Sequence, residues 1–142
     1  MDPRIIALHV HLFYYVELMS DTANIGQFEQ IVLTAIVTRG EKAYGVTIHA
    51  TVQELSAPKP VSLGAVYATL DRLEDKKLIR SWLSDPTPER GGRSKRHYQL
   101  VPAGERALRD SIRTARRVCD TIEQAWGAPP WLTGKQLIVS WE

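Results

Sequence analysis

Four cations crowd one short stretch of this chain: Arg90, Arg93, Lys95 and Arg96, opposed only by Glu89. Residues 89–97 therefore carry a net +3, counting four positive charges, one negative charge and a neutral His97. Gly91 and Gly92 let backbone approach a surface closely, and clustered cations displace the condensed counterions of a polyanion such as duplex DNA. A charge run is also what a solvated face looks like, so the decision rests on where the run sits in the fold. Bulk charge does not help: 18 Lys and Arg against 16 Asp and Glu leave only +2 over 142 residues. Other chemistry is poorly served. His9, His11, His49 and His97 have no ligand spacing with cysteine or carboxylates, apart from His9-x-His11 near the start. No glycine-rich phosphate loop follows a strand and no nucleophile elbow occurs. The expectation is a protein that is not an enzyme and that has no cofactor and no metal site.

The elements around the basic run give it a place. From Gln27, the residues Phe28, Ile31, Val32, Ala35 and Ile36 repeat at the spacing of one helix face, and Gly40 stops the pattern. A second short helix is expected from Val46 to about Leu55, with Ile48, Val52 and Leu55 inward. Ala57-Pro58-Lys59-Pro60 breaks the chain. Ser62 is then placed to cap a third helix, Leu63 to about Lys76, burying Val66, Leu70 and Leu73. Three short helices in quick succession form a helix-turn-helix layout. Ile79 to Leu83 and Arg96 to Val101 are strand-like, and the Pro- and Gly-rich residues between them make a long hairpin tip. The cations thus fall on a wing directly behind a helix-turn-helix, which favours DNA over a merely solvated face.

The third helix is the candidate reading helix. Its expected outward positions are Ser62, Ala65, Thr69 and Arg72, residue types that can bond bases or phosphates or touch a thymine methyl. Tyr67 reads either as core packing or as an anchor whose hydroxyl reaches a phosphate. The last helix starts at Pro102, suited to a first turn, and runs to about Trp126. Leu108, Ile112, Ala115, Cys119, Ile122 and Trp126 are spaced alternately by four and three, an a/d stripe. Such a seam packs on its own domain or on a second copy. The stripe favours self-association, because the preceding unit already closes a core of its own. Trp126 reads either as a structural residue or as a surface on which a flat aromatic ligand stacks between two subunits.

Four segments result: an N-terminal extension over 1–24, a winged helix-turn-helix unit over 25–101, a dimerisation helix over 102–126 and a tail over 127–142. The fold class is mainly α with a small β-hairpin. Hydrophobic residues at 44% and charged residues at 24% are ordinary for a soluble globular chain. Cys119 is the only cysteine, so an intrachain disulfide is excluded and a reducing, cytoplasmic setting fits. The apolar run Ile5 to Met19 is short for a membrane helix, which needs about 20 residues, and it contains His9, His11 and Glu17. It reads either as an extension upstream of a start at Met19 or as a helix packing on the dimer; no membrane is expected.

Several stretches resemble the PadR family of bacterial regulators. They are Gly26-Gln27-Phe28-Glu29-Gln30-Ile31-Val32-Leu33, Tyr44-Gly45-Val46, Ser62 to Glu74, the wing Pro88 to Tyr98 and the Pro102-Ala103-Gly104 helix start. The resemblance covers Gly26 to about Leu108. It implies a homodimer joined through the C-terminal helix, acting on double-stranded DNA at a pseudo-palindromic operator, usually as a repressor. It also implies that a small aromatic ligand between the subunits can release the DNA. Two departures stand out. Lys77 replaces a customary glycine, which places a non-glycine residue in the left-handed conformation at about 1 kcal/mol. Val101 precedes the last helix where a capping Thr is common, again costing about 1 kcal/mol. The rival readings are a winged-helix protein-interaction module without DNA binding, which has no need of four clustered cations, and a ligand-binding dimer.

Overall fold

The computed structural model describes residues 2–7, 23–85 and 93–127. The elements that matter for function each follow from a local rule. Helix α1 spans Gln27–Arg39 and starts where the Glu29 carboxylate turns back to accept the Gly26 N–H at 3.0 Å. It stops at Gly40, whose φ of 54° suits a residue without Cβ, and one 3-10 turn, Gly40–Lys42, reverses the chain. Helix α2 is Gly45–Ser56 and helix α3 is Leu63–Asp75. The Ser62 hydroxyl caps α3 by accepting the Ala65 N–H at 3.1 Å. Lys77 leaves α3 with φ of 58°, the left-handed conformation expected at that position, and the chain enters the hairpin.

Strands β1 (Ile79–Leu83) and β2 (Arg96–Leu100) pair antiparallel, with Ile79 opposite Leu100 and Trp82 opposite His97. The hairpin has a further attachment that the sequence pattern did not expose. Tyr44 forms a bridge with His97, and the Tyr98 N–H donates to the Ala43 carbonyl at 2.9 Å. The hairpin is therefore tied to the α1–α2 connection by backbone as well as by packing. Helix α4 covers Pro102–Trp126, with Val101 providing no side-chain cap.

One core joins all of these elements. Val32, Leu33 and Ile36 of α1 meet Ile48 and Val52 of α2 and Val66, Leu70 and Leu73 of α3. Leu78, Ile79, Tyr98 and Leu100 extend it to the hairpin. Burial raises the Tyr98 phenol above its ordinary value, so it stays neutral in the physiological range. Two expectations change here. Leu55 is 51% exposed rather than inward; it stands in the last turn of α2, which ends at Ser56, beyond the buried pair Ile48 and Val52. Leu33, which the spacing did not select, is fully buried, because α1 is covered by α2, α3, strand β2 and α4 and not along one stripe.

The start of α4 belongs to this core. Gly104, Ala107 and Leu108 are buried, and a Cβ on Gly104 would lie 2.0 Å from the Leu78 carbonyl oxygen. That same oxygen accepts the Val101 N–H at 3.1 Å. Ser111 donates to the Gln30 side chain at 2.6 Å, the last tie to α1. From Arg113 to Trp126 every residue except Glu123 is exposed. Among the described residues, no helix is long and apolar enough to cross a membrane. The readings of 8–22, of the wing tip including Arg90, and of the tail from 128 onward lie outside the described residues.

Candidate nucleic-acid interface and helix seam

Helix α3 buries Val66, Thr69, Leu70 and Leu73, the i, i+3, i+4, i+7 set of one face. Ser62, Ala65, Tyr67 and Arg72 are exposed, as a reading surface requires. Thr69 is a correction: its position between Val66 and Leu73 on the inner face leaves it no exposed surface at all. Its hydroxyl donates to the Ala65 carbonyl at 2.9 Å and accepts from Arg72 Nη2 at 3.0 Å. Thr69 therefore holds Arg72 in place from beneath. The outward face instead carries Gly64, Ala68 and Asp71, which lie opposite the buried set and were legible from it. Gly64, Ala65 and Ala68 are small, so this helix can approach another surface closely. Asp71 is the acceptor on that face, a group suited to a cytosine amino and ill suited to a phosphate.

Tyr67 is 41% exposed and so is not a core residue. Its ring lies over the first residue of α2, where a Cβ on Gly45 would meet the phenolic oxygen at 2.1 Å. Only glycine at 45 admits the tyrosine in this position. The hydroxyl is thereby held beside the start of α2, on the outside of the helix-turn-helix.

On the wing, Arg93, Lys95 and Arg96 are all exposed. Their settings differ. Lys95 Nζ lies 4.2 Å from the centre of the Tyr44 ring. Arg96 Nη1 donates to Ser81 Oγ at 3.0 Å, and that hydroxyl donates to Glu74 at 2.7 Å. Alternation into β2 sends Lys95 and His97 to one face and Arg96 to the other. The outer face carries a row that sequence reading did not anticipate. Tyr44 meets His97 edge-on at 5.8 Å, His97 stacks on Trp82 at 5.7 Å, and the Arg80 guanidinium lies 5.3 Å from the Trp82 ring centre. The only signal for it was the Trp82 and His97 pairing, which needed the hairpin register to be seen.

The far side of the reading helix is clamped to α1. Lys76 Nζ contacts both oxygens of Glu29 at 2.8 and 2.9 Å. Burial alone would raise the Glu29 carboxyl, but the Lys76 ammonium and the Gly26 N–H outweigh it and hold the group below its ordinary value.

The expected seam of α4 divides. Leu108 is a correction, since it is buried in its own domain's core and has no surface to offer a partner. Ile112 packs against the same core. Ala115, Cys119, Ile122 and Trp126 are exposed, and Val118, which the a/d pattern left out, stands exposed beside them. Trp126 is 78% exposed.

Three helices followed by a hairpin whose base is tied back to the first connection, with an exposed α3 face, define a winged helix-turn-helix protein of the transcription-regulator class. The model of the transcriptional regulator PadR-like family matches residues 32–110, more than half of the chain. The chain belongs to that family and is a DNA-binding transcriptional regulator, not an enzyme. Solved relatives agree. A PadR family transcription regulator from hypervirulent Clostridium difficile R20291 is 27% identical with a TM-score of 0.58, over 72% of this chain and 100% of that one. A Streptococcus transcriptional regulator is 26% identical with a TM-score of 0.55, over 68% of this chain and 89% of that one. A PadR family transcriptional regulator from Eggerthella lenta DSM 2243, 18% identical with a TM-score of 0.54 over 88% and 99%, shares the fold. No curated protein sequence matches the chain.

Proposed function

We propose that the protein is a homodimeric repressor that binds a pseudo-palindromic operator in double-stranded DNA and is released by a small aromatic effector. In this reading the 25–101 unit binds DNA. Ser62, Ala65, Tyr67 and Arg72 of α3 enter the major groove, with Thr69 as buried support. Arg90, Arg93, Lys95 and Arg96 of the wing lie along flanking phosphates. The distal half of α4 is the dimer seam, carried by Ala115, Val118, Cys119, Ile122 and Trp126. The effector stacks on Trp126 between subunits.

One observation carries the dimer: α4 leaves its own domain after Ile112 and keeps its apolar side chains to the last turn, with Trp126 almost bare. Solvent alone gives such a helix no reason to keep a stripe of this kind, whereas a second copy covers it and sets two reading helices a fixed distance apart.

The test is a gel shift with the DNA upstream of the protein's own gene against a scrambled duplex, across a salt series, followed by transcription from that promoter in vitro. The reading expects a salt-sensitive preference for the upstream DNA and a fall in transcript. A rise in transcript makes the protein an activator. No preference, together with an empty selection from random DNA, leaves the protein-interaction module.

A further inference from the structure

We infer that the groove between the end of α1, the Gly40–Lys42 turn, the hairpin and the first turns of α4 is a binding site for a flat organic cation. It encloses about 560 Å³, room for two fused rings. Its walls are Val37, Trp82, His97 and Leu100, and its acidic members are Glu41 and Glu105. No lysine or arginine is among the described residues that line it. A basic wing and an acidic groove therefore share one hairpin, which keeps this ligand chemically distinct from DNA.

The aromatic wall suits a planar guest. His97 and Trp82 stack with ring planes 18° apart, so a planar guest meets two nearly parallel rings. Trp82 is 42% exposed, and Val37 beside it is more exposed still. The chain also shows the recognition mode on itself. Arg80, a planar cation, lies over Trp82, and its Nε and Nη2 both donate to Gln99 Oε1, at 3.1 and 2.6 Å. Gln99 lines the groove. Arg80 and Gln99 are both solvent-exposed, so an incoming cation displaces the guanidinium at little cost. Glu105 meets Arg109 only at 3.9 Å with both side chains exposed, which leaves the carboxylate able to answer a second positive charge. Attraction between a cation and a tryptophan face adds to this, and a neutral ring gains neither term. Every residue of the site comes from one protomer, so it stands apart from the α4 seam and from any ligand at Trp126.

The experiment is calorimetric titration of the full chain, without DNA, with N-methylquinolinium and with neutral quinoline at pH 7.5. The cation is expected to saturate one site per chain and to bind at least tenfold more tightly than quinoline. Replacing both acids, Glu41→Gln with Glu105→Gln, should weaken the cation about fivefold and leave quinoline unchanged. Trp82→Leu should abolish saturable binding, whereas Arg80→Gln should tighten it about threefold by removing the internal competitor. Trp126→Leu should change nothing. Thermal melts of each variant establish that it is folded. Equal affinity for the two compounds overturns the proposal, as does indifference to the double acid replacement or no saturable binding by the folded chain. Loss of binding with Trp126→Leu but not with Trp82→Leu overturns it too, by placing the ligand in the seam.

Discussion

Two glycines, both in helices, should respond to the same substitution with opposite signs. Gly104 sits in the first turn of α4, where a Cβ would fall 2.0 Å from the Leu78 carbonyl oxygen and 2.9 Å from its carbon. These are backbone atoms, and the oxygen is already engaged by the Val101 N–H. Neither can rotate away, so Gly104→Ala must push α4 off the turn after α3. Overpacking of this kind costs about 1–3 kcal/mol, while the higher helix propensity of alanine returns up to about 1 kcal/mol. A net loss of about 1–2 kcal/mol follows, or roughly 5–15 °C in melting temperature for a folded unit near 100 residues. Gly64 has nothing within 4 Å of its would-be Cβ, so Gly64→Ala should stabilise by a few tenths of a kcal/mol, up to about 1. Parallel thermal melts by circular dichroism decide the matter. A Gly104→Ala protein as stable as the parent, or as stable as Gly64→Ala, refutes the close docking of α4 on Leu78.

Three further outcomes are expected. Ile122→Glu places a carboxylate in the exposed apolar stripe and should weaken self-association roughly 30-fold or more, seen as monomer by sedimentation, while the melting temperature of the domain itself stays within a few degrees. Ile112 is the wrong site for that test, because it packs on its own core. Thr69→Val should cost about 1 kcal/mol, because the hydroxyl's bonds to Ala65 and Arg72 disappear, yet operator affinity in a gel shift should fall only as far as Arg72 is loosened. A drop as large as that from Arg72→Ala would return Thr69 to the interface. For Glu29, the folded carboxyl is held below its unfolded value, so its contribution is full above about pH 4.5 and disappears as pH falls through the folded value. Lys76→Met should therefore destabilise by about 1 kcal/mol at pH 7, a modest figure because Lys76 is partly exposed and its bond partly screened, and by less at an acid pH where Glu29 becomes protonated. Equal destabilisation at both pH values would show that the pair is not the cause.

Much of the architecture is legible because punctuation and periodicity agree. Gly40, Ser62, Lys77 and Pro102 mark element ends in the sequence, and each does so in the structure. Residue type and spacing used alone fail in a consistent way. Thr69 suits DNA by type, although its position belongs to the set Val66, Leu70 and Leu73. Leu108 fits the seam by spacing, but an a/d stripe does not record where a helix leaves its domain. That point is set by Gly104 and Ala107, two small residues whose meaning is a close approach to a neighbour that sequence does not display. The Glu29–Lys76 clamp and the Tyr44–His97–Trp82 row join residues far apart in the chain, and no local rule reaches across such distances.

The shared oxygen of Leu78 makes a hinge point of an unremarked turn. Helix α3 ends just before it and α4 is seated on it, so the two helices share a single pivot. From Gly104, which rests on that oxygen, to Trp126 the helix extends roughly 33 Å, and a tilt of about 5° there carries its tip through about 2.9 Å. The arm also works in reverse. Whatever grips the tip acts on the root of α3 with the leverage of the whole length, and small residues at the pivot are what keep that arm stiff.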